Sequence, residues 1–181
     1  MWITITRSLF AASRVELNCT MSLLGRLLPT NNVILDLDVT SKKRVFEHAG
    51  LLFEDTLGIS RRKIFDALLA RERLGSTGLG HGVAIPHGRI KGLKSAAGAF
   101  IRTQSPIAFE ALDGNPVNLI FVLLVPEKAT DQHLQILSEL AQMFSERNVR
   151  SALNDAADID SAQRFIIEWE PHAPDQRRAA V

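Results

Sequence analysis

His87 closes the run Gly80-His81-Gly82-Val83-Ala84-Ile85-Pro86-His87-Gly88-Arg89, where a short β-branched stretch ends at proline and an imidazole is followed by glycine and a cation. That arrangement suits a histidine that meets phosphate. Neutral imidazole is a good nucleophile near neutral pH, glycine lets a bulky donor approach the backbone, and Arg89 offers charge to phosphoryl oxygens. Such chemistry requires one ring nitrogen to be unprotonated and open to in-line attack on phosphorus, while the other is held by an acceptor that fixes the tautomer. The sequence does not name that acceptor. Arg71 is a second candidate, because a planar guanidinium matches two phosphate oxygens and disperses their charge. His133, in Asp131-Gln132-His133-Leu134, is a third: it falls in the first turn of an expected helix, where free N–H groups and the helix dipole favour an anion and disfavour imidazolium. Ser76 and Thr77 enter as substrate-binding candidates through their hydroxyls, although a turn-forming role is preferred for both. Arg89 stands evenly between a phosphate contact and a solvated charge. His48, His81 and His172 carry no such context.

The longer string Arg71-Glu72-Arg73-Leu74-Gly75-Ser76-Thr77-Gly78-Leu79-Gly80, running into Val83-Ala84-Ile85-Pro86-His87-Gly88, resembles the active-site signature of the type-2 enzyme IIA proteins of the bacterial phosphoenolpyruvate-dependent phosphotransferase system. Similarity is strongest to the nitrogen-regulatory branch and runs from about Met21 to the helix near Trp169. The resemblance implies that His87 accepts a phosphoryl group on Nε2 from the carrier HPr or its nitrogen-branch counterpart. It also implies a histidine beside the acceptor, at His133, and an active-site arginine at Arg71. The expected function is that of a phosphoryl carrier acting mainly as a nitrogen-related regulator of target proteins. The alternative is an enzyme IIA subunit that passes phosphate to a IIB domain for fructose- or mannitol-type sugar uptake. No cofactor is expected.

Positioning these residues needs a scaffold that the pattern partly reveals. Thr40 or Ser41 caps a helix with Val45, Phe46, Ala49, Leu52 and Phe53 on one face and Gly58 near its end. Ser60 opens another, with Ile64, Phe65, Leu68 and Leu69 inward and Gly75 as terminator, so Arg71 sits at a helix end that leads into the motif. The stretch from Gly75 to Gly88 holds five of the chain's 11 glycines and reads as an active-site loop. Strands are expected over Ala96 to Arg102 and Val117 to Val125, the second apolar on both faces, with the turn Asp113-Gly114-Asn115-Pro116 between them. Thr130 or Asp131 then caps a helix with Leu134, Leu137, Leu140, Ala141 and Phe144 inward, and shorter helices follow near Asn148 to Leu153 and Ser161 to Trp169. The fold class expected is an α/β single-domain sandwich with a central mixed β-sheet flanked by helices. Leu79, Ile90 and Leu93 are the apolar residues expected to meet a carrier around the loop.

Composition narrows the classes. At 181 residues, 46% hydrophobic and 23% charged, the chain fills one core and is short for two domains. A net charge of +1 gives no argument for nucleic acid or an anionic membrane. The lone Cys19 forbids an internal disulfide and fits a cytoplasmic location. Leu119 to Val125 falls far short of the ~20 apolar residues a membrane-spanning helix needs. The glycines follow a helix, not a strand, which argues against a dinucleotide fingerprint, and His81 with His87 lacks further ligands for zinc, so no metal is expected. Residues 1–20 read as an amino-terminal extension without the pattern of a secretory signal, 21–170 as the enzyme IIA domain, and 171–181 as a mobile tail.

Overall fold

The computed structural model describes residues 23–128 and 131–171. The expected extension over 1–20 and all but the first residue of the expected tail lie outside the described residues, as does Thr130 as a helix cap.

A sheet of six strands forms the centre. They are β1 (Val33–Leu37), β2 (Gly78–Gly80), β3 (Val83–Ala84), β4 (His87–Ile90), β5 (Ala97–Ile107) and β6 (Val117–Pro126). The order is β1-β5-β6-β3-β2, with β4 also on β6. The sheet is mixed: β1 runs parallel to β5, β5 antiparallel to β6, and both β3 and β4 parallel to β6. The six helices are α1 (Leu23–Leu27), α2 (Lys42–Leu57), α3 (Arg61–Glu72), α4 (Asp131–Ser145), α5 (Arg147–Asp155) and α6 (Ile159–Glu168).

Period-2 burial on β6 explains the layering. Leu119, Phe121, Leu123 and Val125 pack on one side with α1, α4, α5 and α6, while Ile120, Val122 and Leu124 pack on the other with α2 and α3. A strand apolar on both faces has to lie between two helical layers, as the sequence led us to expect. The sandwich is thereby established.

Several expectations were met in detail, and others were not. Ser41 caps α2 by accepting from the Arg44 N–H, and Gly58 ends it at φ 66°, a left-handed conformation that glycine adopts without strain. Ser60 precedes α3 without a side-chain capping bond; the Arg61 N–H instead donates to Glu54 Oε1 at 3.0 Å, so α2 caps its successor. The expected loop from Gly75 to Gly88 contains the short strands β2 and β3 and the start of β4. Strand β5 extends past Arg102 to Ile107 through the polar stretch Thr103-Gln104-Ser105-Pro106. Helix α6 begins before Ser161, because Asp158 Oδ1 accepts the Ser161 N–H at 2.7 Å.

The buried stripe of α4 is also rotated from the one expected. His133, Ile136, Leu140, Met143 and Phe144 face the core, whereas Leu134 and Ala141 are exposed and Leu137 is half-buried. Both stripes are apolar, and counting leucines favours the wrong one. The rotation has a chemical result, since it turns His133 inward.

Candidate functional site

Three elements converge on His87. It is the first residue of β4, placed immediately after Pro86 where the chain shifts its pairing with β6 from β3 to β4. Gly88 allows α3 to lie directly against this strand: a Cβ there would stand 3.2 Å from the Ala67 Cβ. That close approach brings the last turn of α3, with Arg71, over the imidazole. The first turn of α4 brings His133 from the other side.

The geometry selects one tautomer. Arg71 Nε donates to His87 Nε2 at 3.0 Å, which requires Nε2 to be unprotonated. His87 Nδ1 lies 2.9 Å from the Ile85 carbonyl oxygen, an acceptor that requires the proton on Nδ1. The two contacts agree independently. Arg71 is itself held, since its Nη1 donates to the Gly75 carbonyl at 2.9 Å.

The His87 and His133 rings lie 5.4 Å apart between centroids and are inclined at 63°. His87 is half-buried and His133 is only 8% exposed. Burial pushes His87 below the usual histidine range, and Arg71 and His133 act in the same direction against the Ile85 carbonyl. Burial lowers His133 as well, reinforced by Arg89 and Arg71. Both rings are therefore neutral at pH 7. His133 Nε2 is buried without a hydrogen-bond partner, an arrangement that costs free energy unless something polar arrives.

Arg71, His87, Arg89 and His133 line a cleft of about 420 Å³. A groove on the other side of His87 is lined by Leu79, Leu112, Leu134 and Leu137. Leu112 is 91% and Leu134 66% exposed, and Leu74 beside the cleft is 85% exposed. This apolar rim differs from the expected one. Leu79 belongs to it, but Ile90 is fully buried and Leu93 packs against the α2–α3 core.

Ser76 and Thr77 do not offer their hydroxyls to the cleft. Ser76 Oγ donates to the Phe109 carbonyl at 2.8 Å, and Thr77 Oγ1 donates to Glu72 Oε2 at 2.6 Å. Both hydroxyl donors are engaged within the chain. Arg89 is exposed and acts on His133 only through its charge. His81 is exposed at φ 54°, and its N–H donates to Asp113 Oδ2 at 2.8 Å. That bond leads the interactions lowering the Asp113 carboxyl to about 2. Among the described residues no group of three or more His, Cys, Asp or Glu side chains could hold a metal ion, and no helix is long and apolar enough to cross a membrane.

Two participants escaped the sequence reading. One is the Ile85 carbonyl, a backbone group that carries no residue signature. The other is Glu72, whose identity was visible but whose burial, at 7% exposure, was not.

A two-layered helical cover on a mixed sheet, with a tautomer-fixed histidine at the edge of a cleft, describes the class of domain to which the comparisons lead. Residues 26–169 match the family described as "Phosphoenolpyruvate-dependent sugar phosphotransferase system, EIIA 2", and the chain belongs to that family. It is 40% identical over 146 residues to the nitrogen regulatory protein of Pseudomonas aeruginosa, an alignment covering 80% of this chain and 95% of the relative. The crystal structure of nitrogen regulatory protein IIA-Ntr from Neisseria meningitidis superposes with a TM-score of 0.77 at 52% identity, covering 80% of this chain and 99% of that one. The mannitol IIA of Escherichia coli, at 19% identity and a TM-score of 0.65 over 76% of this chain and 97% of its own, shares the fold.

Proposed function

We propose that this chain is a phosphoryl carrier of the phosphotransferase system that accepts phosphate on His87 Nε2 from an HPr-type phosphocarrier and acts mainly as a nitrogen-related regulator in the cytoplasm. The single observation that carries the reading is the tautomer of His87, with Nδ1–H bound to the Ile85 carbonyl and an unprotonated Nε2 that accepts from Arg71 beside the cleft. The regulatory branch is supported by the identity to nitrogen regulatory proteins. The working domain is taken as residues 21–170, with 1–20 as an amino-terminal extension and 171–181 as a tail.

In the proposed transfer, the Nε2 lone pair forms the new P–N bond as the bond from phosphorus to the donor histidine breaks, and the donor nitrogen leaves with the electron pair. Arg71 gives up its bond to Nε2 and turns its guanidinium to the phosphoryl oxygens. His133 Nε2, which has no partner in the structure, gains a phosphoryl oxygen to donate to in the tautomer that carries the proton there. As the phosphorylated ring becomes cationic, the Ile85 carbonyl strengthens its hold on Nδ1–H. Catalysis is thus positioning and charge dispersal, with the nucleophile supplied by the protein.

The test is incubation with phosphoenolpyruvate, enzyme I and the carrier. Wild type should take one phosphoryl group that is stable in base and labile in acid, His87→Ala none, and His133→Gln should label more slowly. An unlabelled wild type, or His87→Ala labelled equally, refutes the reading. Onward transfer to a IIB domain would favour the sugar-uptake alternative.

A further inference from the structure

Helix α3 ends on two charged neighbours, Arg71 and Glu72, and both lead to the same imidazole from opposite sides. Arg71 does so directly, at Nε2. Glu72 faces away from the cleft, is 7% exposed, and spends its carboxylate on three donors. Oε2 accepts the Thr77 N–H at 3.0 Å and the Thr77 hydroxyl at 2.6 Å. Oε1 accepts Lys42 Nζ at 3.1 Å. Lys42 also reaches Glu110 Oε2 at 3.0 Å and lies 5.7 Å from the centre of the Phe109 ring, so the cation paired with Glu72 is itself held by two further groups.

Thr77, pinned at its N–H and its hydroxyl, uses its remaining backbone group to accept the Ile85 N–H at 3.0 Å. Ile85 in turn holds His87 Nδ1 at 2.9 Å through its own carbonyl. Every backbone polar group along this route is used once, and each residue on it is fixed by the one before.

We propose that Glu72 is a positioning residue for phosphoryl transfer, acting through Thr77 and Ile85 to place the carbonyl that keeps the proton of His87 on Nδ1. This rests on the phosphocarrier reading above and deepens it. With the carbonyl displaced from Nδ1, only the Arg71 N–H still selects the tautomer, so loss of the Glu72 anchor weakens that selection and lets a larger share of the rings carry the proton on Nε2, where it occupies the attacking lone pair. Binding of the carrier is untouched, since Glu72 lies behind the site and not on its rim.

The experiment uses the full chain with 15N-labelled histidine. Glu72→Ala, Thr77→Val and Thr77→Ser are compared with wild type in three measurements: ring-nitrogen chemical shifts of His87, the thermal midpoint, and the rate of labelling as a function of carrier concentration. Wild type should show one protonated and one unprotonated nitrogen. Glu72→Ala should show averaged nitrogen shifts and labelling slowed on the order of tenfold in kcat with KM unchanged, less than the hundredfold attached to a full ångström of misplacement. Thr77→Val should fall between, and Thr77→Ser, which restores the hydroxyl, should recover wild-type shifts and rate. If Glu72→Ala lowers the thermal midpoint while the His87 shifts and the rate per folded molecule stay at wild type, Glu72 is structural only and the proposal is overturned. Should Glu72→Ala not fold, unshifted nitrogens in Thr77→Val overturn it equally. A wild type that takes no label defeats the phosphocarrier reading instead, while the ring shifts still decide whether Glu72 governs the tautomer.

Discussion

Truncating Leu112 separates recognition from chemistry at this site. Leu112 is 91% exposed and lines the same groove as His87, together with Leu79 and Leu134. An exposed leucine contributes little to folding, so Leu112→Ala should leave stability within about 0.5 kcal/mol of wild type. A carrier that delivers phosphorus to Nε2 has to cover this rim, and then the leucine counts. At ~0.8 kcal/mol per buried carbon, reducing the side chain to a methyl removes about 2 kcal/mol from a fully covered contact. That corresponds to roughly thirtyfold in affinity, at ~1.4 kcal/mol per tenfold. Incomplete burial and the cost of ordering the side chain reduce the expected effect to about tenfold.

The assay is the rate of phosphoryl transfer from labelled carrier as a function of its concentration. KM should rise about tenfold with kcat unchanged, because Leu112 touches no reacting atom. Leu51→Ala serves as control: Leu51 is 40% exposed beside Arg61 and Phe65, in a groove away from His87. A KM for Leu112→Ala within twofold of wild type, or an equal change in Leu51→Ala, refutes the assignment of the leucine rim as the docking face.

Two further predictions concern protonation and the scaffold. Burial lowers both His87 and His133, so the neutral nucleophile persists below the ordinary histidine value of ~6.5, and labelling should stay flat down to about that pH. Because the unfolded chain takes up these protons first, the histidine contribution to stability is full above ~6.5 and is lost as pH falls toward the folded values. Urea midpoints for wild type should therefore drop more between pH 7.5 and 5.5 than those of His87→Gln/His133→Gln, and an equal drop would contradict the shifts. Arg102→Met should cost about 2–3 kcal/mol in a denaturant titration without changing labelling per folded molecule. Its Nη1 donates to the carbonyls of Leu153, Asn154 and Ala156 at 3.1, 2.9 and 2.8 Å, while the pair with Asp36 contributes less because that carboxylate is largely exposed. A loss below about 0.5 kcal/mol would show that water replaces the guanidinium.

What the sequence disclosed follows the length of each signal. Helix α2 was legible because an apolar stripe, a capping serine and a left-handed glycine all point to the same element. Strand β6 was legible because both its faces are apolar from Leu119 to Val125. Strands β2 to β4 were not, because two to four residues give no period and β6, the partner of β3 and β4, lies far along the chain. The stripe of α4 was misread since leucine outranks histidine on any hydrophobic count, although positions 133, 136, 140, 143 and 144 follow the helical repeat. At the site, residue types singled out three groups that the fold brings together, His87, His133 and Arg71. They could not expose groups whose role depends on what surrounds them: Glu72 becomes an anchor only after Lys42 and Thr77 are folded against it.

The leucine rim and His87, the proposed acceptor, together constrain how such a carrier regulates. Phosphate on Nε2 adds about −1.5 to −2 charges beside the two cations of the cleft, Arg71 and Arg89, on a face rimmed by leucines. The arginines can balance that charge, but a partner that covers the rim then has to desolvate an ionic cluster in place of a neutral ring, and desolvating paired ions is costly even when their attraction is kept. One surface therefore has two forms that the same apolar partner cannot bind equally. A target docked on the neutral face also hides His87 from the carrier, so target binding and phosphorylation oppose each other by simple occlusion before any conformational change is invoked. Linkage makes this reciprocal: whatever factor phosphorylation takes from target affinity, the bound target takes from the phosphorylation equilibrium. A regulator built this way needs no second site, only one histidine that its apolar surroundings make both reactive and exclusive.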